Sequence, residues 1–286
     1  MKIFITGASG FIGTNLGNYL TANGFEIIPI SRKDLSGTSL ELSLKIDGAF
    51  AIINLAGATI SKRWTRKYKR EIYTSRIFTT KKIVEAIGLC KQRPEILINA
   101  SAIGIYDDIH IHDEQSKYIA YNYLAKVVRD WEHATNCAME FGTQVYIFRL
   151  GIVLGRNGGI LKKMVSLFKL GLGGKIGNGK QYFSFIHIKD ILNVFELALM
   201  KKLSVGVYNL TSPEILSNKD FTKQIAKILK RSAFFTVPAN LLHILYNEGA
   251  TVLTGGQAAV PTNLLEQGYK FHFIKLFDAL THELNK

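Results

Sequence analysis

Lys2-Ile3-Phe4-Ile5-Thr6-Gly7-Ala8-Ser9-Gly10-Phe11-Ile12-Gly13 decides the reading of this chain. The apolar run at its start reads as a buried strand, and the amphipathic run through Leu16 and Leu20, closed by Asn23-Gly24, reads as a helix. Gly7 and Gly10 clear the approach to the turn, and Gly13 lets helix and strand pack closely. The amides and positive dipole end of the helix are then open to an anion. A glycine triplet alone would mark a plain turn. With strand and helix on either side it predicts a dinucleotide pyrophosphate site contacted by Gly7, Ser9, Gly10, Phe11, Ile12 and Gly13.

Working outward, Glu26-Ile27-Ile28-Pro29-Ile30 is a second strand whose exit carries Ser31-Arg32-Lys33. At this place an acidic residue bonds the ribose 2′-hydroxyl of NAD, whereas an Arg accommodates the 2′-phosphate of NADP. Ser31 and Arg32 therefore favour NADP, and the nearby Asp34 keeps NAD as the lesser alternative; the plainer reading of Arg32 is a solvated loop charge. A third strand, Ala51-Ile52-Ile53-Asn54-Leu55, breaks at Ala56-Gly57-Ala58, where Leu55, Ala56 and Gly57 would let a ribose lie against the backbone. Thr65 to Cys90, with Ile72, Ile83, Val84 and Ile87 among many charges, is a crossover helix. Glu95-Ile96-Leu97-Ile98-Asn99-Ala100 is a fourth strand ending in Ser101. This alternation predicts an α/β, Rossmann-type doubly wound parallel sheet with ligands at the carboxyl ends of the strands, where Ser101 and Tyr106 fall.

The chain of 286 residues, 47% apolar, can bury one large core with a smaller lobe. No run approaches the roughly 18 apolar residues of a membrane span. A strand beginning at residue 2 leaves no room for a signal peptide, so a cytoplasmic protein without a membrane partner is expected. Cys90 and Cys137 predict neither a disulfide framework nor a metal site. The net charge of +14 is compatible with a nucleic-acid surface, but the basic residues spread over Lys62 to Lys82, Lys162 to Lys180 and Lys219 to Lys230 without a nucleic-acid motif. Nucleic acid is therefore disfavoured against a solvated surface that attracts an anionic cofactor.

Thr6-Gly7-x-x-Gly10-x-x-Gly13, Asn54-Leu55-Ala56-Gly57 and Ser101-Ala102-Ile103-Gly104-Ile105-Tyr106 together resemble the extended, atypical short-chain dehydrogenase/reductase superfamily. Asn54 to Ser61, Trp64 to Arg76, Trp131-Glu132, Gly171-Leu172-Gly173-Gly174 and Ser184-Phe185-Ile186-His187 are similar to its NAD-dependent epimerase/dehydratase family, in the branch called epimerase family proteins. The stretch from Pro238 through Pro261 and Gly268-Tyr269 to Leu280 resembles the C-terminal domain of that branch. The resemblance implies hydride transfer at a carbonyl or secondary alcohol, reversible within one turnover where the outcome is epimerisation. It also implies a Tyr-x-x-x-Lys pair, in which the lysine charge lowers the tyrosine pKa.

In this chain Tyr118 to Lys126 reads as the corresponding helix, and the position four before Lys126 is Asn122. Three readings compete. In the first, Tyr106 or Tyr123 moves the proton, Ser101 polarises the substrate oxygen and Lys126 binds the nicotinamide ribose. In the second, the protein binds NADP without turnover, as a regulatory or scaffold protein. In the third, Tyr121 and Tyr123 merely pack.

The resemblance further implies an Arg four residues before His187 that grips a substrate diphosphate, and Phe183 stands there. An aromatic ring cannot replace a bidentate guanidinium, so a nucleotide sugar is weakened as substrate and a smaller or more apolar compound gains. Lys162, Lys163, Lys175 or Lys180 could supply a substitute charge. His187 reads as structural or catalytic, and Arg149 as an internal ion-pair partner or a substrate contact. Gly151 to Gly159 is a glycine-rich exit, Lys162 to Gly174 a helix closed by glycines, and Ser217 or Asn218 the cap of a helix over Asp220 to Leu229. The expected organisation is a dinucleotide-binding domain at 1–155, completed by 185–212, and a small, mostly helical lobe at 156–184 and 213–286. A small-molecule substrate and a monomer or homodimer are expected.

Overall fold

The computed structural model describes residues 1–156 and 158–284. β1 (Lys2–Thr6) runs through the Gly7 turn into α1 (Phe11–Ala22), and β2 (Glu26–Ile30) is followed by α2 (Arg32–Ser36) and α3 (Ser39–Ile46). β3 (Ala51–Asn54), α4 (Arg66–Leu89), β4 (Ile96–Ala102), β5 (Ile111–His112), α5 (Tyr123–Asn136) and β6 (Gln144–Leu150) continue the chain. Next come β7 (Ile152–Leu154), α6 (Gly159–Lys169), β8 (Gly174–Ile176), β9 (Phe185–His187), α7 (Ile188–Leu199) and β10 (Gly206–Leu210). The last part holds α8 (Asn218–Leu229), β11 (Phe235–Val237), α9 (Ala239–Tyr246), α10 (Thr251–Thr254), β12 (Ala258–Ala259), α11 (Thr262–Glu266) and α12 (Leu276–Leu284).

Six parallel strands form the central sheet in the order β10-β6-β4-β3-β1-β2. Because β2 lies on one side of β1 and β3 on the other, the winding reverses at β1, and the Gly7 turn opens at that switch point. Side chains alternate along each strand, so Ile3 and Ile5 pack with Leu16 and Leu20 of α1 and Ile191 and Phe195 of α7. Phe4 and Ile52 face the other way, onto Leu42 and Ile46 of α3 and Ile83 and Ile87 of α4. Both faces are thus covered by helices, as the apolar strands require.

A second core gathers Leu161 and Phe168 of α6, Phe183, Phe185, Phe221 of α8 and Leu276 and Leu280 of α12. Short parallel pairs, β7 with β9 and β8 with β11, tie these pieces together. The fully buried Asp190 on α7 accepts from the Tyr269 hydroxyl at 3.0 Å and the His272 amide at 2.7 Å, which holds the segment before α12 to the main sheet's helix. His187 caps α7: its Nδ1 accepts from the Lys189 amide at 3.2 Å, and its Nε2 lies 2.8 Å from Glu283 Oε1 of α12. The ring proton therefore sits on Nε2, and burial pushes the imidazole pKa below its ordinary value.

Several elements differ from expectation. Tyr118 to Asn122 are not helical; Ile119 bridges to Tyr106, the Ala120 amide donates to Ile105 O at 2.9 Å, and the helix starts at Tyr123. Asn122 is its N-cap, with Oδ1 accepting from the Ala125 amide at 2.9 Å, a role for which Asn is well suited. The glycine-closed helix is α6, ending at Lys169 before a turn at Gly171. Within the glycine-rich exit, residues 152–154 form β7, and Asn157 lies outside the described residues, as do Asn285 and Lys286 of the C-terminal segment. Ser217, not Asn218, caps α8, in a reciprocal box with Asp220. Among the described residues no helix is long and apolar enough to cross a membrane.

Candidate functional site

At the Gly7 turn three backbones meet with no room for side chains. Gly7 has φ +67°, and a Cβ there would lie 2.7 Å from Leu55 O; one on Gly13 would lie 2.3 Å from Gly7 O. Gly10 is the N-cap of α1, no side chain caps the helix, and no acidic residue stands in its first turn. The helix thus begins with amides at Phe11, Ile12 and Gly13 suited to an external acceptor, beside the exposed Ser9. The Phe11 ring closes one end: a Cβ on Gly158 would come within 2.1 Å of it, so the loop after β7 folds directly over the ring.

Beneath the turn, Thr6 Oγ1 donates to Asn54 Oδ1 at 2.6 Å and accepts from the Leu55 and Ala56 amides, each at 3.1 Å. Asn54 Nδ2 donates to Asn99 Oδ1 at 2.6 Å and Thr80 Oγ1 at 2.9 Å, and Trp131 Nε1 donates to Thr80 at 2.9 Å. This buried polar set holds Leu55, Ala56 and Gly57 in place, and each of its side chains finds partners within it.

Arg76 closes the Trp64 to Arg76 stretch, which assigns it no role of its own, although Ile72, Arg76, Thr80 and Ile83 share one helical face and Arg76 breaks its apolar pattern. Its Nη1 donates to Ala58 O at 3.1 Å and Ile72 O at 3.2 Å, and the guanidinium lies against Gly57 and 5.3 Å from the Trp131 ring centre. Burial pushes its pKa down to about 10, and no carboxylate pairs with it among the described residues.

At the exit of β2, Ser31 caps α2 and Arg32 is exposed. The Asp34 carboxylate accepts from the Ser31 amide and hydroxyl, both at 2.6 Å, and from Lys45 Nζ at 2.7 Å. Those bonds hold its pKa at about 2, with Lys45 the largest cause, and draw the carboxylate toward α2 and α3.

The hydroxyls of Ser101, expected to polarise a substrate oxygen, and of Tyr106 and Tyr123, expected to move a proton, each bond to a protein group. Ser101 Oγ donates to Glu132 Oε1 at 2.6 Å, and Glu132 forms a bidentate pair with Arg149, Nε and Nη2 each at 2.8 Å. Arg149 Nη1 donates to the Tyr106 hydroxyl at 2.7 Å, which itself donates to Asn209 Oδ1 at 2.9 Å. Ser101 and Tyr106 are therefore joined through one buried ion pair, and Arg149 fills its internal-pair role. Burial opposes the Arg149 charge, but the Glu132 bonds more than offset this and raise its pKa. The Tyr123 hydroxyl donates to Lys69 O on α4. Burial raises the pKa of both Tyr106 and Tyr123, opposite to the change a proton-transferring phenol needs. Lys126 is exposed on the side of α5 that meets α4, 2.5 Å from Asp130 Oδ2, and that hydrogen bond raises its pKa.

A cavity of about 730 Å³ opens where the ends of β4 and β6 meet the second core. Its wall is chiefly apolar and includes Ala102, Leu150, Met164 and Phe183, whose ring stacks on Phe221 at 4.0 Å. Ala102 lines it, while its neighbour Ser101 turns away to Glu132. Asn122, Tyr106 and the exposed Tyr121 also line it.

Residues 3–211 match the NAD dependent epimerase/dehydratase family, and residues 237–283 match a domain of unknown function, DUF1731. The chloroplastic epimerase family protein SDR39U1 homolog of Arabidopsis thaliana is 35% identical over 299 residues, spanning 98% of this chain and 86% of that protein. Epimerase family protein SSP1921 of Staphylococcus saprophyticus is 32% identical, over 96% and 97% of the two chains. The crystal structure of human epimerase family protein SDR39U1 (isoform 2) with NADPH superposes with a TM-score of 0.91 at 31% identity, covering 100% of this chain and 99% of that one. A nucleoside-diphosphate sugar epimerase from Corynebacterium glutamicum gives 0.80 at 29% identity, over 99% of this chain and 58% of its own. The glycine turn at the switch point, the doubly wound sheet and these matches agree: the chain belongs to the NAD dependent epimerase/dehydratase family.

Proposed function

We propose that the protein binds NADP(H) across the β1–β3 switch point and acts as an oxidoreductase on a small, largely apolar carbonyl compound or secondary alcohol held in the adjoining cavity. The carrying observation is the crevice itself, in which the uncapped start of α1 faces a turn that excludes any side chain at Gly7 and Gly13. NADP is favoured over NAD because Asp34 is withdrawn to Lys45 while Arg32 stays exposed at the exit of β2. The NADPH in the human relative supports the same choice. Arg76, a half-buried cation without a carboxylate among the described residues, is assigned to an anionic part of the cofactor. In this reading residues 1–155 with 185–212 form the cofactor domain, and 156–184 with 213–286 the substrate lobe.

The apolar wall with Phe183 in it argues against a nucleotide-sugar diphosphate and for a compact apolar ligand. A second reading, cofactor binding without turnover, draws on a specific observation: the Ser101, Tyr106 and Tyr123 hydroxyls all bond to protein groups, and Tyr106, although it lines the cavity, is held by Arg149 and Asn209. Calorimetry with NADPH and NADH, followed by nicotinamide absorbance with a panel of ketones, aldehydes and secondary alcohols, separates the two. Enzyme function requires turnover with at least one compound and a rate loss in Lys126→Ala exceeding its loss of cofactor affinity. Tight NADPH binding with no hydride transfer supports the second reading, and no affinity for either cofactor ends both.

A further inference from the structure

The turn after α6 and the start of β11 converge because glycines let them. The Leu172 amide donates to Leu167 O at 2.9 Å, a Cβ on Gly173 would lie 2.4 Å from the Phe168 ring, and one on Gly174 would lie 2.1 Å from Phe235 O. Phe235 pairs with Gly174 in the parallel register, which brings Phe234 and Phe235 beside the turn that carries Leu170 and Leu172. All four of these side chains are exposed, Phe234 to 92%, and Leu167 extends the strip along α6. An apolar strip gathered in this way marks an interaction surface.

Its surroundings are basic. Lys169, Lys230 and Arg231 are exposed next to these residues in the chain, and residues 156–184 carry six basic side chains and no acidic one. A second copy of a chain of net charge +14 would bring like charges together across this edge. From the apolar tips and their one-signed rim we infer that this edge docks on the headgroup region of an anionic bilayer. Phe234, Phe235, Leu170 and Leu172 enter the acyl boundary, and Lys169, Lys230 and Arg231 meet the lipid phosphates. The contact is peripheral, in a chain whose described helices are not of membrane-spanning kind. It departs from the expectation of no membrane partner because the strip is assembled from two segments distant in sequence, neither of which reads as a membrane helix alone.

Sedimentation of the full chain with vesicles of phosphatidylcholine, and of phosphatidylcholine mixed with phosphatidylglycerol, tests the inference. Binding to the mixed vesicles, weak binding to the neutral ones and release by salt are expected. Phe234→Ser/Phe235→Ser lowers the partition coefficient at least about tenfold. Lys169→Glu/Lys230→Glu/Arg231→Glu lowers it about a hundredfold, from roughly fivefold per basic residue. Because all five side chains are exposed, circular dichroism and melting temperature stay at the parent values. Failure of the parent to bind anionic vesicles overturns the inference, as does undiminished binding by both variants. A concentration-dependent dimer abolished by the phenylalanine variant also overturns it, and would make the edge an interface between copies.

Discussion

Glu132→Ala removes the carboxylate on which the buried network between Ser101 and Tyr106 closes. Arg149 loses both 2.8 Å bonds, Ser101 loses its 2.6 Å acceptor, and the guanidinium keeps only the Tyr106 hydroxyl at 2.7 Å. The two charged side chains are only 11% and 10% exposed, so water cannot take over fully. Breaking a buried pair by removing one partner costs about 3–5 kcal/mol. At roughly 2.1 cal/mol/K per residue, a 286-residue chain has an unfolding entropy of about 0.6 kcal/mol/K, so a loss of about 4 kcal/mol lowers Tm by about 7 °C. Urea unfolding measures the free energy and a calorimetric scan the Tm. Glu132→Leu/Arg149→Met leaves no charge unpaired and is expected to unfold at higher urea than Glu132→Ala. A Glu132→Ala protein within about 1 kcal/mol of the parent, or a double variant weaker than the single, refutes the reasoning.

Four further outcomes can be checked. Gly13→Ala pushes a Cβ to within 2.3 Å of Gly7 O and is expected to weaken NADPH at least about tenfold by calorimetry; an unchanged Kd would remove the turn from the cofactor site. Arg32→Ala is expected to weaken NADPH about tenfold or more, the value of one charged hydrogen bond, and to leave NADH unaffected; equal losses would place Arg32 away from the 2′-phosphate. Asp34 titrates at about 2 when folded against 3.8 ordinarily. Its stabilisation is therefore complete above about pH 4 and disappears as pH falls toward 2, so the melting gap between parent and Asp34→Asn should close over that range; a constant gap would contradict the pairing with Lys45. Arg76→Met is expected to melt no lower than the parent without cofactor, since it removes a half-buried charge that has no carboxylate partner among the described residues, yet to gain less from saturating NADPH. A large loss of cofactor-free stability would instead mark Arg76 as structural.

The strand, turn and first helix were legible because their signals act between neighbours: glycines where a Cβ collides, a continuous apolar run along β1, a cap at Ser217 with Asp220 three residues on. Helix α3 passed unread, since the eight residues after its capping box at Thr38 and Glu41 alternate polar with apolar at Leu40, Leu42, Leu44 and Ile46, a strand-like period. The helix expected from Tyr118 failed for a nonlocal reason: Ile119 and Ala120 pair with the backbone at Ile105 and Tyr106, which removes them from any helical turn and leaves Asn122 to cap the helix that starts at Tyr123.

Local order by itself determined the β1 turn, the parallel sheet it implies and the crevice at its switch point, because sterics and the apolar runs at those positions permit little else. Only the tertiary structure decided that Ser101 faces Glu132 while Ala102 faces the cavity, that Arg149 closes on Glu132 and Tyr106, and that Lys45 captures Asp34. A side chain's partner across a core depends on how distant elements pack, and residues such as Glu132 and Arg149 lie on different elements that only the folded core brings together.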